Sequence, residues 1–250
     1  MLEGKCILIT GASSGVGRHF AEYAAAQGST LVLVARRQEN LEEIQKRFPD
    51  QCHIFCYDLD DIGNIKEIFD FVKDNGLKLD GLVHCAGVGY DVPIRVLEAE
   101  QTANVMRVNT LSFVQLGKYF SMKKYSHDGS SIVAISSMAA FGNPKGMLSY
   151  NISKTALHSA IATMAKEFLS RKVRVNGIAP GFIDTPMAKG SFENIVERKE
   201  RFSKQQPWGI IPPQQISYLI EFLLSERAEY ITGAVVPVSG GDLLERLEGV

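Results

Sequence analysis

The chain has 250 residues, of which 45% are hydrophobic and 22% charged, a composition typical of a globular protein with a sizeable core. Its formal net charge of −1 offers no clustered basic face for nucleic acid, and no apolar run approaches the roughly 18 residues of a membrane-spanning helix. The length would also permit two small domains, but no linker divides the chain, so we expect a single domain over residues 1–250. The first residues lead into a strand pattern rather than a targeting segment, and we expect a soluble cytoplasmic protein with no nucleic-acid or membrane partner.

The cysteines and histidines argue against a disulfide framework and a metal site. Cys52 and Cys56 lie in one predicted strand and are about 13 Å apart, whereas a disulfide needs Cα atoms within about 7 Å. All four cysteines, including Cys6 and Cys85, fall in or beside apolar runs, so we expect buried packing rather than reactivity. The five histidines form no ligand pair, so no metal is expected.

Short apolar runs alternate with helical patterns along most of the chain. The predicted strands are 6–10, 30–34, 53–56, 81–85, 131–135, 173–176 and 235–238, and the predicted helices include 15–27, 39–48, 62–73 and a helix around 99–108. Continuous apolar strands joined by helices are typical of parallel sheets that are covered on both faces. The pattern predicts a three-layer, doubly wound α/β sandwich of the Rossmann type with about seven strands. Its ligands should bind beyond the carboxyl ends of those strands.

A glycine-rich turn joins the first strand to the first helix. Gly11 permits a tight turn, Gly15 lets the backbone approach a pyrophosphate, and Gly17 permits close packing of helix on sheet. Free amides at the helix start, around Ser14 and Val16, face the phosphates. Such a turn can be only a turn, but its position inside a βαβ unit favours a dinucleotide site.

The end of the second strand indicates which dinucleotide is bound. An acidic residue there would repel a 2′-phosphate, whereas this chain has Ala35 followed by Arg36 and Arg37. Guanidinium groups suit a phosphate partner, so we predict NADP(H), with Arg36 the better candidate and Ser13 or Ser14 assisting. The alternative is that both arginines are solvated surface residues.

Asp58 and Leu59 follow the third strand at the same predicted edge of the sheet. This position allows the Asp58 carboxylate to meet the adenine amino group. A plain turn at the end of the strand is the alternative.

Tyr150 and Lys154 are four residues apart, which places both side chains on one face of a helix. A phenol beside an ammonium loses its proton more readily than its free pKa of about 10 allows. Lowering that pKa to about 7 needs roughly 4 kcal/mol, and a tyrosine tuned in this way is a general acid or base for a carbonyl/alcohol pair. Taken alone, the spacing also fits a solvated helix face.

Over nearly its whole length the chain resembles a short-chain dehydrogenase/reductase. The resemblance depends on six features in a fixed order: the 10–17 turn, Ala86-Gly87, Asn109, Ser136-Ser137, Tyr150 with Lys154, and Pro180-Gly181 with Thr185. In general pattern the chain is most similar to 3-oxoacyl-carrier-protein reductases. The motifs that carry this closer likeness recur in many relatives.

The resemblance implies a catalytic tetrad. Tyr150 is then the acid/base, and Lys154 lowers its pKa while holding the nicotinamide ribose. Ser137 binds the substrate oxygen, and Asn109 holds a water that links Lys154 to solvent. In isolation, Ser137 could simply end a strand and Asn109 could cap a helix bend.

The resemblance also implies cofactor contacts at the ends of the fourth and sixth strands. The Ile183 amide and the Thr185 hydroxyl are expected to meet the carboxamide of the nicotinamide. The family's Asn-Asn-Ala-Gly is His84-Cys85-Ala86-Gly87 here, and we interpret His84 as a structural substitute rather than a base. The expected cofactor-binding residues are Gly11, Ser13, Ser14, Gly15, Val16, Gly17, Arg36, Arg37, Asp58, Leu59, Ala86, Gly87, Asn109, Tyr150, Lys154, Pro180, Gly181, Ile183 and Thr185.

Two further expectations follow from the resemblance. Residues 186–213 would form a substrate lid. Five apolar residues would either line an apolar pocket or belong to the ordinary core: Phe141, Met147, Phe182, Met187 and Trp208. The apolar residues of the helix around 151–170 would form a dimer face in a homotetramer or homodimer, or they would be buried within the monomer: Ala156, Leu157, Ala160, Ile161, Met164 and Ala165.

The expected function is an NADP(H)-dependent oxidoreductase acting on a small-molecule or carrier-linked carbonyl substrate, either a ketone or a 3-oxoacyl thioester. A sugar or polyol dehydrogenase of the same family is the nearest alternative. A non-catalytic nucleotide sensor is a third possibility, but a sensor would be expected to lose Tyr150 or Lys154, and this chain keeps both.

Overall fold

The computed structural model describes residues 1–185 and 206–242. It contains one parallel sheet of seven strands in the order β3-β2-β1-β4-β5-β6-β7. The strands are β1 Cys6–Thr10, β2 Thr30–Ala35, β3 Cys52–Cys56, β4 Leu79–His84, β5 Ser126–Ile135, β6 Arg174–Pro180 and β7 Val235–Val238. The predicted Rossmann-type α/β fold is therefore confirmed.

Helices connect the strands and cover the sheet. They are α1 Gly15–Ala25, α2 Gln38–Arg47, α3 Lys66–Asp74, α4 Ala99–Met106, α5 Ser112–Phe120, the short α6 Ala139–Gly142, α7 Leu148–Glu167 and α8 Pro213–Leu224. A π-helical turn, Arg107–Leu111, joins α4 to α5. Among the described residues, none of the helices has the length and apolarity needed to cross a membrane.

Helices cover both faces of the sheet. Successive side chains of a strand point to opposite sides, so those of the central strands are buried on both faces. In β1, Leu8 packs into one hydrophobic cluster with residues of α3, α5 and α7. Its neighbours Ile7 and Ile9 pack into the other cluster, with residues of α1, α2 and α8. This arrangement explains why the central strands are continuous apolar runs in the sequence.

The strand order reverses at β1, which lies between β2 and β4. In a doubly wound sheet this reversal opens a crevice at the carboxyl ends of the two central strands. The chain leaves that edge at Thr10 of β1 and at His84 of β4, which are paired in the sheet register. The predicted cofactor residues therefore lie around this crevice.

The structure differs from the predicted elements where the hydrophobic signal is weak. β5 begins at Ser126, although positions 127–129 are exposed and polar, so its first half carries no apolar run. Helix α5 was not predicted as a separate element, since the π-turn shifts the helical phase between α4 and α5. The prediction that the cysteines are buried is confirmed for Cys6 and Cys52 but was wrong for Cys56, which is exposed at the end of β3, while Cys85 is partly buried.

Candidate active site

The turn after β1 is closely packed against the end of β4. Gly11 has a φ of +67°, and a Cβ at this position would lie 2.7 Å from the backbone nitrogen of Ala86. A Cβ on Gly17 would overlap the carbonyl oxygen of Gly11 and would lie 2.8 Å from the carbonyl carbon of that residue. Side chains are thus excluded at both positions, and the start of α1 is held directly against the turn.

At the end of β2, Arg37 rather than Arg36 contacts the glycine-rich turn. The Arg37 guanidinium donates to the Ser13 hydroxyl at 3.3 Å, and Asn40 donates to the Ser13 carbonyl at 3.1 Å. Arg36 instead lies 3.8 Å from the Asp58 carboxylate. Both arginine side chains are exposed, so they remain available to a phosphate at the rim of the crevice.

Asp58 sits at the end of β3, where its Oδ1 accepts the Asp60 N–H at 3.1 Å. This contact is what the alternative interpretation of Asp58, a plain turn at the end of the strand, would give. The second carboxylate oxygen, Oδ2, lies beside Arg36. Leu59, by contrast, is buried. Asp60 binds Arg107 at 2.8 Å and also accepts from Asn104 at 2.8 Å. These bonds tie the turn after β3 to the helix that carries Asn109.

His84 braces β4 against β1. Its side chain is fully buried, and Nδ1 is hydrogen-bonded to the Thr10 hydroxyl at 2.9 Å. The same hydroxyl accepts the Ala86 N–H at 3.4 Å. Burial lowers the pKa of His84 to about 3, and the charge of Lys154 contributes in the same direction. A neutral imidazole used in this way agrees with its interpretation as a structural substitute.

Asn109 lies in the π-turn and is completely buried. Its Oδ1 accepts the Val88 N–H at 2.8 Å, and its Nδ2 donates to the Val88 carbonyl at 2.9 Å and to the Ser153 hydroxyl at 3.0 Å. The amide therefore holds the loop after β4 against α7. π-turns are frequent at functional sites, but the side chain itself is occupied by protein partners, and a water held by Asn109 stays a prediction.

Tyr150 and Lys154 share the inner face of α7. The Lys154 Nζ lies 5.6 Å from the centre of the Tyr150 ring and donates to the Ile135 carbonyl at 2.9 Å. A Cβ on Gly87 would lie 3.6 Å from this Nζ and 3.5 Å from the Asn109 Oδ1. Gly87, Asn109, Tyr150 and Lys154 are thus brought together at the crevice.

The expected lowering of the Tyr150 pKa was wrong for this arrangement. Burial raises the pKa of Tyr150, while a hydrogen-bond interaction with the Ser137 hydroxyl acts against this rise. Burial also lowers the pKa of Lys154 to about 8. Burial is the largest influence on both groups, and the Lys154 Nζ donates its hydrogen bond to the Ile135 carbonyl.

Ser137 lies next to the phenol at the end of β5, and its hydroxyl also accepts the Ala139 N–H at 3.1 Å. The neighbouring Ser136 is buried and is hydrogen-bonded to His158 Nε2 at 2.7 Å. We did not predict a role for His158. Its position four residues after Lys154, on the same face of α7, is the sequence signal that was available.

The loop after β6 reaches towards the glycine-rich turn. A Cβ on Gly15 would lie 3.4 Å from Cγ2 of Thr185, so the two predicted cofactor segments face each other. Gly181 donates its N–H to the Val238 carbonyl at 2.8 Å, and Ile183 pairs with Ile211 in an isolated parallel bridge. This loop follows Pro180, the last residue of β6.

The predicted pocket residues do not form one pocket. Trp208 is 90% exposed and Phe141 is 44% exposed, so neither is a core residue; Phe141 rests 5.1 Å from the His158 ring. Met147 and Phe182 are partly buried, and Met187 lies outside the described residues. Most of the expected lid, 186–205, is also outside them, whereas the expected end at 213 is already the first residue of α8.

An open groove of about 800 Å³ is lined in part by residues at the start of α7. Its lining includes Pro93, Ile94, Leu148 and Ile152, but none of the predicted tetrad. The groove is thus lined by neighbours of Tyr150 in the sequence and not by Tyr150 itself.

The proposed dimer face of α7 is largely internal. Leu157, Ile161, Met164 and Ala165 are buried in the core of the chain, which agrees with the alternative of burial within the monomer. These residues therefore no longer support an oligomer, and the homotetramer or homodimer stays a prediction.

Comparison with known proteins identifies the class of this chain. A family model described as "Enoyl-(Acyl carrier protein) reductase" matches residues 11–242. The chain is similar to the 3-oxoacyl-[acyl-carrier-protein] reductase FabG of Thermotoga maritima, with 32% identity over 246 residues that cover 96% of this chain and 98% of the relative. It belongs to the short-chain dehydrogenase/reductase family of oxidoreductases, which act on alcohol and carbonyl substrates with a nicotinamide cofactor.

Two solved structures have the same fold. One is described as a glucose/ribitol dehydrogenase of this family from Brucella melitensis, with a TM-score of 0.89, 27% identity and coverage of 96% of this chain and 97% of that one. The other is 4-hydroxyisoleucine dehydrogenase complexed with NADH, with a TM-score of 0.89, 27% identity and coverage of 96% and 99%. These relatives act on different substrates from the Thermotoga reductase, so the likeness defines the family and not one substrate.

The residues around the crevice fit a nicotinamide dinucleotide. Glycines exclude side chains where the turn after β1 meets the end of β4. Two exposed arginines stand at one end of the crevice, and the buried Lys154 stands beside Gly87 at the other. This distribution of charge and backbone suits a long ligand with phosphates along its length.

Proposed function

We propose that this protein is an NADP(H)-dependent reductase that interconverts a carbonyl compound and an alcohol, with a ketone or a 3-oxoacyl thioester as substrate. The observation that carries the proposal is the meeting of Ser137, Tyr150 and Lys154 beside Gly87 at the carboxyl edge of the sheet. The likeness to the Thermotoga 3-oxoacyl reductase supports the 3-oxoacyl substrate. A cytoplasmic location, a single domain and a homotetramer or homodimer remain predictions.

The proposed chemistry assigns each polar group a separate task. A bound nicotinamide supplies or accepts the hydride. Tyr150 donates its phenolic proton to the developing alkoxide, and the Ser137 hydroxyl donates a hydrogen bond to the same oxygen. Lys154 places a positive charge near the phenol and stabilises the phenolate that remains after proton transfer.

The preference for NADP(H) is proposed from the end of β2. Ala35 stands where an acidic residue would repel a 2′-phosphate, and Arg36 and Arg37 are exposed beside it. The bond from Arg37 to Ser13 places one guanidinium at the glycine-rich turn. We therefore propose Arg37 as the main phosphate ligand, with Arg36 and Ser13 assisting.

A sugar or polyol dehydrogenase is the second candidate, and the likeness to the Brucella structure favours it. Oxidation of NADPH and NADH should be measured spectrophotometrically with acetoacetyl thioesters, diketones and sugars. We expect turnover with a thioester or ketone, and a higher kcat/KM with NADPH. Turnover with sugars alone would reject the proposed substrate class, and a higher kcat/KM with NADH would reject the cofactor preference.

A further inference from the structure

Gln206 is a buried polar residue that no sequence motif singles out. Its side chain is fully buried, and both ends of its amide are used. Oε1 accepts the Phe182 N–H at 2.8 Å, and Nε2 donates to the Phe182 carbonyl at 3.3 Å and to the Gly209 carbonyl. A buried amide is tolerated only when it is hydrogen-bonded in this way.

The surrounding glycines are adapted to this side chain. A Cβ on Gly181 would overlap the Oε1 of Gln206, and a Cβ on Gly240 would lie 2.9 Å from its Cγ. Gly209 also returns its N–H to the Gln206 carbonyl at 2.8 Å. The amide therefore lies between the loop after β6 and the loop after β7, at a place that neither loop fills with a side chain.

The contacts of Gln206 fix the backbone on both sides of Phe182. The Phe182 carbonyl accepts from Nε2 and also from the Ile211 N–H at 2.9 Å. The next residue, Ile183, is held in the bridge to Ile211, and Thr185 then lies opposite Gly15. This segment carries the Ile183 amide and the Thr185 hydroxyl that are proposed to bind the carboxamide of the nicotinamide. Gln206 thus sets the direction of the segment at Phe182, one residue before Ile183.

We propose that Gln206 is a positioning residue that orients the segment after Gly181 and thereby the nicotinamide half of the cofactor site. This inference depends on the proposed function, because it takes the loop after β6 as the nicotinamide-binding segment. An apolar side chain of similar length would fill the same volume. It would, however, remove the bond that the Phe182 N–H donates to Oε1 and the bonds that Nε2 donates, so the segment would be oriented less firmly than in the wild type.

The test compares a ligand that has a nicotinamide with one that lacks it. Gln206→Met removes both ends of the amide at nearly constant length, and Gln215→Met, at an exposed position of α8, is the matched control. Calorimetry would measure the Kd of NADPH and of adenosine 2′,5′-bisphosphate for each protein, and kcat would be measured with the substrate that the proposed screen identifies.

For Gln206→Met we expect the Kd of NADPH to rise about tenfold, as the loss of a buried hydrogen bond allows. The Kd of the bisphosphate should stay unchanged, kcat should fall, and Gln215→Met should match the wild type. If the ratio of the two Kd values stayed at its wild-type level, either because neither changed or because both rose equally, Gln206 would serve fold stability alone. That result would overturn the proposal.

Gln206→Glu keeps the acceptor for the Phe182 N–H and serves as the second variant if Gln206→Met does not fold. It places a carboxylate oxygen against the two carbonyls, so the same selective loss of NADPH binding is expected. A Gln206→Glu protein that binds NADPH as tightly as the wild type would overturn the proposal. A wild type that binds neither ligand would instead refute the proposed function itself.

Discussion

The surroundings of Tyr150 favour the neutral phenol over the phenolate. Burial raises its pKa, which suits an acid that gives a proton to a carbonyl oxygen during reduction. Lys154, whose pKa burial lowers to about 8, still carries its charge at neutral pH. In the proposed reaction the phenol loses its proton to the alkoxide, and the ammonium stabilises the phenolate left behind.

Replacement of Tyr150 by Phe tests this role directly. Tyr150→Phe removes the proton donor but keeps the ring, so we expect kcat to fall by about 10²–10⁴-fold with little change in the Kd of NADPH. Tyr230→Phe is the matched control, since that side chain is 94% exposed and should retain full activity. Wild-type turnover in the Tyr150→Phe protein would remove Tyr150 from the chemistry.

The site also shows which residues a sequence can and cannot reveal. Tyr150, Lys154 and the glycines were predicted because their spacing has a local geometric meaning. Which of Arg36 and Arg37 is the better candidate for the phosphate depends on the direction in which each side chain leaves the end of β2. The structure shows that Arg37 is the one that is hydrogen-bonded to Ser13. Gln206 gave no signal, because its partners at Phe182 and Gly209 are defined only once the loops after β6 and β7 have folded together.

At the scale of elements, the contact between α1 and the turn after β1 is the most restrictive feature of the cofactor side. Gly17 lies in the first turn of α1 and has no room for a Cβ against Gly11. A methyl group there must push the helix away from the sheet or displace the turn. Either movement would disturb the helix N-terminus that faces the proposed phosphates.

Gly17→Ala should therefore destabilise the protein and weaken cofactor binding together. Overpacking of this kind costs about 1–3 kcal/mol, which thermal unfolding would detect as a lower Tm, and NADPH should raise that Tm less than it does in the wild type. Gly63→Ala is the matched control, because a Cβ there would lie 3.5 Å from its nearest neighbour, Oδ1 of Asp61. A Gly17→Ala protein with wild-type Tm and cofactor affinity would contradict this description of the turn.

The elements themselves were predicted to the extent that burial left a pattern. β1 and β7 match their predicted limits because their ends coincide with the ends of apolar runs. The beginning of β5 lacks such a run, and the six apolar residues of α7 could not be divided between core and interface without coordinates. Periodicity shows which face of a helix is apolar, but it does not show what covers that face.

At the scale of the whole molecule, His84 connects the two halves of the doubly wound sheet. It joins β4 to Thr10 of β1 at the point where the strand order reverses, and its pKa is lowered by burial to about 3. In the unfolded chain the pKa of a histidine is about 6.5. Protons therefore bind the unfolded chain first as the pH falls, and acidification below about 6.5 favours unfolding.

This linkage predicts a specific loss of stability in weak acid. Between pH 8 and pH 5, His84 alone should reduce the free energy of unfolding by about 2 kcal/mol, since each pH unit below 6.5 contributes about 1.36 kcal/mol. Urea unfolding of the wild type and of His84→Asn at both pH values isolates this contribution, because the lowered pKa of His158 is common to both proteins. The pH dependence should be smaller in His84→Asn and should stay at the wild-type level in a control with the exposed His127 changed to Asn. The wild type and His84→Asn could instead lose the same stability between the two pH values. That result would contradict a buried, neutral His84 imidazole that links the halves of the sheet.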